Sequence, residues 1–146
     1  MHTDKSTSSN TARIVSGNRR LAFLPRLFGA NYRKAESFIF STARSVCREY
    51  AEGVWIFKEL PDGGGYLVPP HLDRCTLRID GNGFEGEMSA DAAGIVLTLL
   101  VLNRLSWDAY HHGLALMNNH LVAQQDRLKD YADQHPESGL IFRAID

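Results

Sequence analysis

Between Tyr32 and Tyr50, positions 35, 38, 39, 42, 43, 46, 47 and 50 form a stripe stepping by three and four, which predicts an amphipathic helix. Arg33, Lys34, Arg44 and Arg48 fall mostly off that stripe and are expected in solvent. Upstream, Leu21, Leu24, Leu27 and Phe28 share a helical face that Gly29 can end. Pro25 sits inside that pattern and predicts a kink or two short turns. Met1 to Asn18 is rich in Ser, Thr and Asn and is expected to be a disordered tail, leaving one domain over residues 19–146.

After Gly53 the helical period stops. Val54 to Leu60 is aromatic and β-branched and reads as a strand, Asp62 to Gly65 as a turn, and Tyr66 to Pro69 as a short returning strand. From Arg74 to Asp80 the pattern alternates, with Cys75, Leu77 and Ile79 on one face. Gly81-Asn82-Gly83 is hairpin-turn chemistry, because Asn and Gly tolerate positive φ, and Phe84 to Met88 follows as a fourth strand. Short connections make a four-stranded antiparallel meander the simplest topology.

Ser89 is placed to cap a helix, with Asp91 adding negative charge at the positive end of its dipole. From Ala92 to Leu102 nearly every face is apolar, so the Ala90–Ser106 helix is expected to be the most buried element. Gly94 costs about 1 kcal/mol against Ala in a helix, which close packing on the sheet would explain. Leu114, Met117, Leu121, Gln124, Leu128 and Tyr131 predict a helix over Leu114 to Gln134, its stripe docked on its own domain. Pro136 can open a short terminal helix carrying Leu140, Ile141 and Ile145. The fold class expected is α+β, a single domain with one sheet and about four helices.

The 146 residues carry a formal net charge of −1. That balance lacks both the cationic excess of a typical nucleic-acid binder and the acidic excess of a protein imitating DNA by charge. The halves differ: residues 1–50 hold nine Lys/Arg against three Asp/Glu, and residues 51–146 hold seven against fourteen. Pairing between the two halves is the expectation. Cys47 and Cys75 lack CxxC spacing, and no secretory signal precedes them, so reduced thiols in a cytoplasmic protein are expected. The uncharged run Ala92 to Asn103 is too short for a bilayer span.

Candidate chemistry is sparse. Asp80, Glu85, Glu87 and Asp91 surround the hairpin turn, but Asp80-Gly81-Asn82-Gly83 lacks the ligand number and the late bidentate Glu of a calcium loop. His111 and His112 are adjacent, and His120 follows too far on to complete a helical zinc pair. There is no GxSxG, and the glycines at 63–65 precede a strand where a phosphate loop precedes a helix. No catalytic group, metal site or cofactor is predicted, which favours a binding protein. Arg19, Arg20, Arg26, Arg33 and Lys34 form a modest basic group. It supports, as the alternative, a nucleic-acid-binding regulator using the basic first half. Strand alternation puts Glu85 and Glu87 on the face opposite Phe84, Gly86 and Met88. With Asp91, Arg20 and Arg26 they are the candidate partner contacts.

Four ordered blocks carry a resemblance. They are Arg20 to Gly29; Gly53, Trp55, Phe57, Glu59 and Leu60 with Gly64-Gly65-Tyr66 and Pro69; Asn82 to Ile95 with Leu102-Asn103; and His135-Pro136-Glu137 with Ile141 to Asp146. Together they resemble the ArdB/KlcA-type antirestriction proteins, while Val68 to Asp73 and Trp107 to Asn119 depart from that pattern. The resemblance implies a small cytoplasmic α+β protein of plasmids or genomic islands that relieves restriction of incoming DNA by type I restriction–modification enzymes. The partner it implies is the restriction enzyme or a factor controlling it. It brings no enzymatic residues, and the near-zero charge agrees with a family thought not to imitate DNA.

Overall fold

The computed structural model describes residues 11–146. Strands β1 (Arg13–Val15), β2 (Ile56–Glu59) and β3 (Gly65–Val68) form one antiparallel sheet, and β4 (Arg74–Ile79) and β5 (Phe84–Ser89) form another. The helices are α1 (Arg20–Phe28), α2 (Tyr32–Val46), α3 (Ala90–His111), α4 (Ala115–Asp133) and α5 (Ser138–Ile145). The α+β class holds, but the single four-stranded meander does not.

Two features divide the sheet. Pro69 and Pro70, which have no N–H to donate, follow β3, and His71 then takes a positive φ of 62°. The β3 edge that would have received a fourth strand is occupied by α3 instead. The Leu67 N–H donates to Thr98 Oγ1 at 3.1 Å, and the Thr98 hydroxyl donates to Gly94 O at 2.8 Å. A helix covering an edge removes its pairing potential as a strand would. Gly94 is what lets α3 come so close: a Cβ there would lie 2.3 Å from Leu67 O.

The expected tail is also shorter at its inner end. Residues 1–10 lie outside the described residues, but Arg13–Val15 pairs with β2 and puts Val15 opposite Phe57. Val15 is buried while Ile14 stays exposed, and three residues of alternation are too few to stand out in a polar segment. Pro25 is accommodated within one continuous α1, because the bond it forfeits falls at the exposed Leu21 turn. Helix α2 stops at Val46, short of Tyr50, and Cys47 turns to bridge Leu77. Conversely, α3 runs past Ser106 to His111.

Helix α3 is the core. Among the described residues it is the one helix long and apolar enough to cross a membrane, and 72% of its most apolar window is buried inside the fold. Sheet β1–β2–β3, α2, α4, α5 and the β4–β5 hairpin all pack around it. On one side Phe23 of α1 stacks on Phe57 at 4.7 Å. Helix α4 docks through Leu121, Gln124, Leu128 and Ala132, whereas Leu114 and Leu116 at its start are exposed. Gly83, at φ 72°, closes the β4–β5 hairpin. Asn82 has a different role from the one expected of it: its φ is not positive. Its Oδ1 accepts the Phe84 N–H at 3.0 Å and its Nδ2 donates to Ala144 O at 2.8 Å, tying the hairpin to α5.

Candidate functional site

The junction of β5 and α3 gathers a connected set of polar side chains. Ser89 ends β5 and caps α3, its hydroxyl oxygen accepting the Ala92 N–H at 3.1 Å. Glu137, from the turn before α5, completes the cap across the fold. One carboxylate oxygen accepts the Ser89 N–H at 2.9 Å and the other accepts the Ser89 hydroxyl. This is the reciprocal arrangement of a capping box, with the acid supplied from a distant segment. Burial would raise the Glu137 carboxyl, but the hydrogen bonds from Ser89 bring it below the ordinary glutamate range. Ser89→Ala removes the cap and leaves Glu137 short of a donor. It is expected to cost about 1–2 kcal/mol, read as a lower urea midpoint.

One residue into α3, Asp91 gathers three donors. Its Oδ1 accepts from Lys58 Nζ at 2.6 Å and from Tyr66 OH at 2.9 Å, and its Oδ2 accepts from His135 Nε2 at 2.9 Å. His135 Nδ1 accepts the Glu137 N–H at 3.0 Å, so the ring hydrogen belongs on Nε2, facing Asp91. Burial works against the Asp91 charge. The hydrogen bonds from His135, Lys58 and Tyr66 and the lysine's charge outweigh it and hold the carboxyl at about 2. Tyr66 is pushed well above the usual phenol range, first by burial and then by the Asp91 charge. Asp91 is therefore the hub joining β2, β3, α3 and the approach to α5, a larger part than the helix-end charge expected of it.

Apart from its place in the last block of the family resemblance, no sequence pattern singles out His135. Next to Pro136 it reads as a helix-terminating polar residue, whereas its side chain is only 8% exposed. Its partner lies 44 residues away, and no local spacing announces that pairing.

The remaining candidates separate by structural duty. Glu85 and Glu87 project from the exposed face of β5, with Arg48 at 3.8 Å from Glu85 and Arg74 at 3.1 Å from Glu87. Arg20 donates to Trp55 O at 3.0 Å and lies 3.9 Å from the centre of the Phe57 ring. Arg26 and Arg19 both pair with Glu59, and Lys34 reaches Asp108 at 3.6 Å. The basic first half thus meets acids of the second half, as expected from the charge asymmetry. The two arginines and the acidic ridge do not form one site: Arg20 and Arg26 belong to the α1–β2 contact, and the acids to the β5–α3 junction. Among the described residues no group of three or more His, Cys, Asp or Glu is arranged to hold a metal ion.

Comparison with known proteins places these features in a family context. A family model described as antirestriction protein matches residues 48–146. The antirestriction protein KlcA of Escherichia coli is 39% identical over 137 residues, covering 93% of this chain and 94% of that protein. The putative antirestriction protein YubI of Escherichia coli K12 is 42% identical over 128 residues, covering 87% and 89%. A solved structure superimposes with a TM-score of 0.80 at 37% identity, covering 93% of this chain and 94% of the other. That work describes KlcA and ArdB proteins with a novel fold and antirestriction activity against type I DNA restriction systems in vivo but not in vitro.

Proposed function

Because this chain belongs to the antirestriction protein family, we propose that it relieves type I restriction of incoming unmodified DNA in the cytoplasm by binding a protein: the restriction enzyme or a factor controlling it. The observation that carries this reading is the pairing of its surface charge. A protein imitating DNA needs an unbroken negative surface, yet Glu85 and Glu87 each have an arginine of the same chain beside them, and the net charge is −1. The related proteins' activity in vivo but not in vitro supports a requirement for a further cellular component.

A binding role also agrees with the chemistry of the junction. His135 spends Nδ1 on a backbone N–H and Nε2 on Asp91, leaving neither nitrogen to take a proton from a substrate. Ser89 is engaged as cap and donor. The residues most like catalytic groups are committed to holding the fold.

Tagged protein recovered from cells carrying a type I system is expected to retain the restriction enzyme or its controlling factor after nuclease treatment. Loss of all retained protein on nuclease treatment would favour recognition of nucleic acid and contradict the reading. Within it, Glu85 and Glu87 are the proposed contact. Their side chains are 59% and 60% exposed, and exposed ion pairs contribute roughly 0–1 kcal/mol. Glu85→Gln combined with Glu87→Gln is therefore expected to leave the urea midpoint nearly unchanged while weakening relief of restriction. Full relief in the folded double variant would remove these acids from the contact.

A further inference from the structure

The two cysteines take no part in the polar junction described above. Cys47 follows α2 directly, where the backbone becomes extended at φ −105° and ψ 113°, and forms an isolated antiparallel bridge with Leu77 of β4. The Arg48 N–H donates to Thr76 O at 3.0 Å. That bond makes Cys47 and Leu77 a non-hydrogen-bonded pair, the narrower kind of antiparallel site, in which side chains lie closer. Cys75 stands two residues before Leu77, on the same face of β4 and diagonal to Cys47.

Both residues are free thiols, buried to 4% and 0% exposure, and the Cys47 thiol donates to Glu49 Oε1 at 3.9 Å. Their surroundings treat them unequally. Interaction with Cys75 draws the Cys47 thiol below its ordinary range. The same interaction, with burial, pushes Cys75 up. Beyond Cys47 the chain runs straight into the exposed turn at Arg48 and Glu49. Cys75 lies fully inside. Cys47 is thus the member of the pair beside the exposed turn, and Cys75 the one deeper in the fold.

We propose that Cys47 and Cys75 are a redox modification site that closes reversibly to an intramolecular disulfide when the protein meets a hydroperoxide. The Cys47 thiolate attacks the terminal peroxide oxygen; the O–O bond breaks, the remaining oxygen leaves as alcohol or water, and Cys47 becomes a sulfenic acid. The Cys75 sulfur then attacks the Cys47 sulfur, the S–O bond breaks and water departs. Two thiols are oxidised, one peroxide is reduced by two electrons, and no other reactant is required. Because the Cys47–Leu77 bridge is a single residue pair at the end of a helix, Cys47 can close on Cys75 without disturbing the β4–β5 register. The bond would fasten the end of α2 to β4, and a dithiol would reopen it.

The test is to treat the folded protein with hydrogen peroxide, quench it, and measure its intact mass before and after a dithiol. The expected product is a monomer lighter by two hydrogens and restored by the dithiol. Non-reducing trypsin digestion should join the peptide Ser45–Arg48 to Cys75–Arg78. In Cys75→Ser the second step has no thiol, so Cys47 should instead accumulate as a sulfenic acid that dimedone traps. A wild-type protein that keeps added oxygen on Cys47, forms a covalent dimer, or stays unchanged while its denatured form reacts would overturn the proposal.

Discussion

Gly94→Ala is expected to destabilise the protein by on the order of 3 kcal/mol, although alanine is the better helix former. The added Cβ would stand 2.3 Å from Leu67 O, 3.0 Å from Val68 Cα and 3.1 Å from Leu67 C. All three atoms are backbone, so no rotamer change can make room. Relief requires α3 to move away from β3. That movement would stretch the Leu67–Thr98 hydrogen bond and open the centre of the core, where Ile95, Val96 and Leu97 are fully buried. The helix propensity gained, about 1 kcal/mol, opposes this loss without matching it. Gly139→Ala is the natural comparison, since Gly139 lies in α5 and a Cβ added there would meet nothing within 4 Å. It is expected to be neutral or stabilising by up to about 1 kcal/mol. Urea unfolding of the two variants beside the parent checks both signs, and an unchanged midpoint for Gly94→Ala would contradict the close approach.

Asp91→Asn should cost a similar amount, about 3 kcal/mol at neutral pH. The carboxylate accepts from Lys58, Tyr66 and His135. An amide keeps one acceptor oxygen and presents hydrogens where the other stood, so donors face donors and the lysine charge loses its partner. The pH dependence separates this from a packing defect. The Asp91 carboxyl is lowered in the folded protein to about 2, so its stabilising effect is fully present above the pKa of an unfolded aspartate. It is lost as pH falls from about 4 towards 2. The gap between parent and variant should therefore be constant from about pH 5 to 7 and shrink at about pH 3. A gap that is already small at neutral pH, or that persists undiminished in acid, would contradict the assignment.

What could be read in the chain was local. The Ser89 cap, the all-round apolar run of α3 and the Gly83 turn each depend on neighbours within a few residues, and each is present. The division of the sheet was hidden because it depends on Thr98, 31 residues from Leu67, meeting a strand edge. A threonine in an apolar helix carries no mark of that partner. Asp91 was legible as a helix-start acid, but its donors come from 33, 25 and 44 residues away. Arg20 and Arg26 stood out as cations in a basic stretch, whereas their contacts with Trp55, Phe57 and Glu59 belong to tertiary structure. Glu85 and Glu87 were legible for the opposite reason. Strand alternation alone sends them outward, and the fold asks little more of them than two exposed ion pairs.

Relief of type I restriction inside cells is the activity proposed for this chain. The plating efficiency of unmodified phage on a strain carrying a type I system, with and without this protein expressed, tests it most directly. Efficiency is expected to rise with expression on the restricting strain and to stay the same on an isogenic strain lacking the system. Equal plating on the restricting strain with and without the folded protein would contradict the claim.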